Sequence, residues 1–285
     1  MASPAFQNKT ILLTGATTGI GRAAAHAFAQ GGARLLVHGR NAELGRDLVK
    51  ELTTTYGRHQ GDITFHQADL TRLDDVRALG REVTAAVERL DVLANNAGLF
   101  SSTREMTTDG LEQTFQVNHL APFLLTRLLM KPLLAARGRV ITTSSRAHMI
   151  SPLYMADLQS KKHFSPWPVY GRTKLANIYF TYELARRHGA EGLKAYCFHP
   201  GVVNSRFFSN LRGISKWGAN ALGKLIFRSS EKGADTLVWL AGAALPPEQN
   251  GWYFFDRKPG PLARHALDRD AALRLWEASE QLAGR

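Results

Sequence analysis

The sequence predicts a single α/β domain: a doubly wound parallel sheet with helices on both faces. Three observations predict it. Short β-branched and aliphatic runs alternate with longer amphipathic stretches, the first run passes straight into a glycine-rich turn, and no linker, repeat or low-complexity segment divides the chain. At 285 residues, with 44% hydrophobic and 21% charged residues, the chain has material for one large core and no compositional sign of disorder.

In order, Thr10 to Thr14, Arg34 to His38, Ile63 to His66, Asp91 to Ala94, Arg139 to Thr143 and Leu193 to Phe198 read as buried strands. Between them Gly19 to Gln30, Ala42 to Tyr56, Leu73 to Glu88, Leu111 to Leu134 and Val169 to His188 carry apolar residues at helical spacing. A β-α-β-α order buries each strand on both faces beneath right-handed crossovers, which is the Rossmann-type arrangement. Two stretches escape the pattern, Arg146 to Pro168 and Val202 to Ser230.

Composition excludes several classes. Cys197 is the single cysteine, so no internal disulfide forms, and its apolar neighbours suit a buried thiol better than a nucleophile. No signal-peptide pattern and no run of about 18 apolar residues occurs, so a soluble, cytoplasmic protein is expected. The formal charge of +12 comes from Lys and Arg scattered through helices, which argues against nucleic acid and suits a phosphate-bearing ligand. His119, His148 and His199 have no metal-ligand spacing, and no metal is expected.

The first strand runs into Thr14-Gly15-Ala16-Thr17-Thr18-Gly19-Ile20-Gly21 and then a helix. In that context Gly15 serves a tight turn, Gly19 lets the backbone approach a pyrophosphate, Gly21 permits close packing, and the helix N-terminus offers N–H groups. Thr17 and Ile20 belong to the same cradle. The second strand ends His38-Gly39-Arg40-Asn41 without the carboxylate that would hold a ribose 2′-hydroxyl. Arg40, beside Asn41 and with help from Arg22, suits a 2′-phosphate instead, so NADP(H) is the expected cofactor.

Tyr170 and Lys174 stand at i and i+4 on one helix face, where a cation beside a phenol makes a tunable proton donor and acceptor. Asn95-Asn96-Ala97-Gly98, Val117-Asn118-His119 and Thr142-Thr143-Ser144-Ser145 lie at or near carboxyl ends of strands, where such sheets bind ligands.

With these motifs, Asp69-Leu70 and Pro200-Gly201, the chain resembles the short-chain dehydrogenase/reductase family from about Lys9 to Trp252. The resemblance implies that Ser145 and Tyr170 bond a substrate carbonyl, Lys174 holds the nicotinamide ribose and favours phenolate, and Asn118 supports a proton-relay water. It further implies cofactor contacts from Asp69, Leu70, Asn95, Ala97, Pro200 and Ser205, with Ser144 packing locally. Asp69 also suits a cap before Thr71.

The insert Met149 to Trp167, Ser145-Arg146-Ala147-His148 and His199-Pro200-Gly201 are similar to the retinol dehydrogenase branch, although the membrane anchor common in that branch is not expected here. Phe207, Phe208, Leu211, Ile214, Trp217 and Leu222 suggest a substrate lid at about 202–230, the alternatives being a core cover, a subunit contact or a membrane-resting segment. The expected function is an NADPH-dependent carbonyl reductase acting on a bulky hydrophobic or aromatic small molecule, such as a polyketide-type or retinoid-like compound. The alternative is a non-catalytic NADP-binding redox sensor or partner-binding protein. The helix Val169 to His188 would serve a homo-oligomer contact or its own sheet alone.

Overall fold

The computed structural model describes residues 5–57, 59, 61–202 and 228–284. The expected lid lies outside the described residues except for its ends, and so does Ser205.

β1 (Thr10–Leu13), β2 (Arg34–Gly39), β3 (Ile63–Gln67), β4 (Val92–Asn95), β5 (Arg139–Thr143), β6 (Lys194–His199), β7 (Tyr253–Phe255) and β8 (Lys258–Pro259) form one sheet in the order 3-2-1-4-5-6-7-8. Every pairing is parallel except β7 with β8. The expected doubly wound sheet is therefore present. Its reversal of strand order falls between β1 and β4, where a crevice opens outside the strand ends.

Helices cover both faces. α1 (Gly19–Gln30), α2 (Ala42–Tyr56) and α8 (Ser230–Gly242) belong to the side whose core centres on Ile11, Leu13, Leu35, Phe28 and Phe198. α3 (Leu73–Ala86), α5 (Ala121–Leu128), α7 (Pro166–His188) and α9 (Arg269–Ala283) cover the other, around Leu12, Leu93, Phe123, Leu175 and Trp276. The alternation follows from the period of two along each strand. No helix among the described residues is long and apolar enough to cross a membrane.

The long helix expected from Leu111 to Leu134 is broken. It comprises α4 (Gln113–Phe115), a π-helical turn (Gln116–Leu120), α5, and α6 (Met130–Ala135). Two prolines account for the breaks. Pro122 has no N–H to give the Asn118 carbonyl, and Pro132 has none for Leu128, just before the interruption at Leu129. α7 begins at Pro166, earlier than Val169, because proline suits the first helical turn. α8, α9, β7 and β8 were not anticipated.

Candidate active site

β1 delivers Thr14 to the crevice, and this threonine organises the turn behind it. Its hydroxyl accepts N–H bonds from Asn96 at 3.0 Å and Ala97 at 3.1 Å, while the Asn96 side chain donates back to the carbonyls of Thr14 and Gly15. Gly15 and Gly19 both adopt positive φ, at 64° and 53°. A Cβ on Gly21 would overlap the Gly15 carbonyl oxygen, so the helix start is packed against its own loop.

His38, at the end of β2, completes the cradle. Its Nδ1 accepts the Gly15 N–H at 3.3 Å and its Nε2 donates to the Ala68 carbonyl at 3.1 Å. Burial pushes its pKa down to about 4, so the ring is neutral and the tautomer is set by its partners.

The crevice holds a cavity of about 930 Å³ lined by the loop from Gly15 to Gly21, by Gly39 and Arg40, by Asp69 and Leu70, and by Asn96 to Phe100. Thr17, Gly19, Ile20, Gly21, Arg40, Asp69, Leu70 and Ala97 are thus on its wall. Asp69 also accepts from the Thr71 N–H and hydroxyl, which closes the turn before α3 without capping the helix, whose N-cap is Arg72. Helix N–H groups, glycine backbone and the Arg40 cation make a wall suited to phosphate.

Three expected contributors are placed elsewhere. Asn95 is buried within the sheet and donates to the Thr126 hydroxyl at 3.2 Å; its neighbour Asn96, just past the end of β4, is the one on the wall, where its N–H bonds to the Thr14 hydroxyl. Asn41 caps α2 by accepting the Leu44 N–H at 2.9 Å. Arg22 is paired with Glu51 across α1 and α2. Pro200 follows β6 at the strand's carboxyl end, but does not line the cavity.

Beyond the cavity's inner end lie the candidate reacting groups. Gly98 and Phe100 link the two regions: a Cβ on Gly98 would stand 3.1 Å from Asn118 Oδ1 and 3.4 Å from Lys174 Nζ, and the Phe100 ring lies 5.8 Å from that of Tyr170. Ser145 follows β5; its Oγ accepts the Ala147 N–H at 3.1 Å and is hydrogen-bonded to Tyr170. Ser144 instead donates to the Lys174 carbonyl at 2.7 Å, tying the strand end to α7.

Lys174 Nζ donates to the Thr143 carbonyl at 3.1 Å and sits 5.4 Å from the centre of the Tyr170 ring. Burial lowers its pKa to about 8, which leaves it mainly protonated at neutral pH. Burial also raises the Tyr170 pKa, and the Ser145 bond only partly opposes this. Burial thus favours the phenol form of Tyr170, which is able to give a proton.

Asn118 lies in the π-helical turn. Its side chain accepts from the Leu99 N–H and donates to the Leu99 carbonyl and the Thr173 hydroxyl, binding the β4 loop to α7. His119 is buried among Phe115, Phe123 and Phe180 with Nε2 at 2.8 Å from Ser279 Oγ, whereas His199 stacks on Phe255. No metal-ligating group of three or more such side chains occurs among the described residues. Cys197 is buried, its thiol pushed up to about 12.

Thr14, His38, Asn96, Phe100 and Trp167 were missed as site residues. Trp167 and Tyr170 stand at i and i+3 on α7, and the Phe100, Trp167 and Tyr170 rings pack together with centroids 4.9 to 6.4 Å apart. An aromatic one turn before the candidate tyrosine was the available signal.

The comparisons with known proteins agree with this geometry. The short chain dehydrogenase family model matches residues 9–214. A Streptomyces protein described as a daunorubicin C-13 ketoreductase is 40% identical, the match covering 97% of this chain and 93% of that protein. Mouse retinol dehydrogenase 12 is 36% identical, with 97% and 86% covered. Among solved structures, an uncharacterised protein of Mycobacterium paratuberculosis superposes with a TM-score of 0.78 at 30% identity, covering 99% of this chain and 96% of that one. By sequence, fold and site architecture together, this chain belongs to the short-chain dehydrogenase family.

Proposed function

We propose that the chain is an NADPH-dependent carbonyl reductase in which Tyr170 gives a proton to the substrate oxygen. The observation that carries this reading is a buried Tyr170 phenol, hydrogen-bonded to Ser145 and beside Lys174, packed against Phe100 on the wall of the phosphate-suited cavity. The cavity wall fits NADPH: the glycine loop for the pyrophosphate, Arg40 for the 2′-phosphate, Asp69, Leu70 and Ala97 toward the adenosine side. A related structure described as an NAD(P)-dependent gluconate 5-dehydrogenase from Beutenbergia cavernae, 25% identical with a TM-score of 0.71, holds NADP.

When bound, the nicotinamide supplies the hydride to the carbonyl carbon. Ser145 Oγ and the Tyr170 hydroxyl orient the carbonyl oxygen, and Tyr170 protonates it as charge develops there. Lys174 offers its cation to the ribose and to the tyrosine left deprotonated. Asn118 presents a main-chain carbonyl that Pro122 cannot bond, an acceptor for a relay water. Pro200, at the carboxyl end of β6, would border the nicotinamide.

Phe100 and Trp167 support a bulky aromatic substrate, because they extend a π surface directly from Tyr170. The names of the ketoreductase and retinol dehydrogenase relatives agree with a large conjugated carbonyl compound. The test is consumption of NADPH against NADH over aromatic and aliphatic ketones, retinal and quinones, with Tyr170→Phe as control. Turnover with NADPH that falls about 100-fold or more in the Phe variant is expected. Tight NADPH binding without turnover of any carbonyl would replace this reading with a redox sensor.

A further inference from the structure

We infer that His148 is a positioning residue for the reaction, holding Ser145, and through the same turn Tyr170, in register with the C-terminal segment at Ala263. The inference rests on the reading of Ser145 and Tyr170 as the pair that handles the substrate oxygen. It assigns a role to a part of the chain more than a hundred residues beyond the serine.

His148 is fully buried. Its Nδ1 lies 2.7 Å from the Ser145 carbonyl oxygen, which can only accept, so Nδ1 carries the proton. Its Nε2 lies 3.3 Å from the Ala263 nitrogen, which can only donate, so Nε2 must be bare. The two contacts together demand one neutral tautomer. A second link runs through the backbone: His265 Nε2 lies 2.8 Å from the His148 carbonyl as its donor, and the His265 carbonyl accepts the Tyr179 hydroxyl at 2.5 Å from α7.

The turn held in this way, Arg146–Met149, touches the Ser145 side chain and the backbone of the residue after Tyr170. Ala147 gives its N–H to Ser145 Oγ. The Ala147 carbonyl lies so close to Gly171, the residue after Tyr170, that a Cβ there would overlap it. A shift of the turn therefore displaces both ends of the Ser145–Tyr170 hydrogen bond. Misplacing aligned groups by about 1 Å can cost on the order of 100-fold in rate.

Packing alone would need only an apolar side chain of this size. The matched donor and acceptor contacts to two distant backbone groups are what distinguish His148 from filler. The groups facing it are His265 from the C-terminal turn, Arg146 from its own turn, His199 from β6 and Tyr253 from β7, whose ring packs edge-on at 5.1 Å. Burial, His265 and Arg146 all lower its pKa, which keeps the ring neutral. Protonation in acid would set an N–H against the Ala263 N–H and open the link.

The experiment compares full-length His148→Asn, His148→Gln and His148→Ala with the native chain. Asparagine keeps a donor near the Nδ1 position and glutamine an acceptor near Nε2, so each preserves one link. Expected is a loss of about tenfold or more in kcat for the Ala variant, with NADPH affinity within twofold of native. The Asn and Gln variants should recover part of kcat, and neither should retain the acid limb contributed by the ring. A kcat within twofold of native in the Ala variant, or an equal loss of NADPH affinity, overturns the inference. If the Ala variant does not fold, His265→Ala, which removes only the donor to the His148 carbonyl, must still lower kcat. Imidazole ¹⁵N shifts of native His148 at pH 7 provide a readout independent of turnover: a charged ring or the opposite tautomer overturns the inference. A native chain that binds NADPH but reduces no carbonyl defeats the reductase reading instead, whatever those shifts show.

Discussion

Replacing Lys174 by methionine should stabilise the fold while ending turnover. Burial moves the lysine from 10.5 to about 8, a drop of 2.5. At about 1.4 kcal/mol per pKa unit, holding its charge inside at pH 7 costs roughly 3 kcal/mol. Methionine has a similar length and no charge. It forfeits the hydrogen bond to the Thr143 carbonyl, worth about 1 kcal/mol, but that carbonyl keeps its bond from Asn177 at 3.1 Å. The balance is a gain of about 2 kcal/mol, or roughly 4 °C in Tm for a chain of this size.

The sign with pH follows from proton counts. Between about 8 and 10.5 the unfolded lysine holds its proton while the folded one has released it, so native stability rises with pH across that window. The methionine variant lacks this rise. Urea unfolding of the cofactor-free proteins at pH 7 and 9.5 should show the variant's advantage of about 2 kcal/mol falling close to zero. A variant less stable than native at pH 7, or an advantage that does not change with pH, would refute the reasoning.

Arg40→Glu should raise the KM for NADPH by at least about tenfold and leave or improve use of NADH, since charge-assisted bonds are worth about 1.5–3 kcal/mol. Equal losses with both cofactors would remove Arg40 from the 2′-phosphate. Gly21→Ala should weaken NADPH binding by about 100-fold in calorimetry, because the new methyl meets the Gly15 carbonyl and lies 2.7 Å from Asn96 Nδ2, forcing the loop open. Native affinity in that variant would mean that the loop relaxes without cost.

The sheet was legible because buried parallel strands are continuous apolar runs and the helices between them are strongly amphipathic. The glycine loop was legible because its residues are contiguous and their backbone demands are local. What escaped depended on distant partners. Asn95 and Asn96 are chemically identical in sequence, and only the register of β4 decides which enters the cavity. Asn41 and Arg22 were drawn to the cofactor by proximity, whereas a helix end and Glu51 claimed them. The Pro122 and Pro132 breaks were readable, yet the surrounding hydrophobic periodicity outweighed them. β7 is three residues long and carries no pattern of its own until β6 stands beside it.

The link from His148 to Ala263 also bears on how the protein is made. Ribosomal synthesis releases β1 and its glycine loop first, and the serine turn once about half the chain is out. The contact that fixes that turn must wait for a residue close to the carboxyl end. Closing so long a loop is slow, and topologies rich in distant contacts fold slowly for that reason. Nascent chains would thus be able to form the nucleotide cradle well before they can align the groups that do chemistry. The residues that complete this link also carry Leu275 and Trp276 into the core over α7, so packing and alignment of the serine turn are finished together, at the end of synthesis.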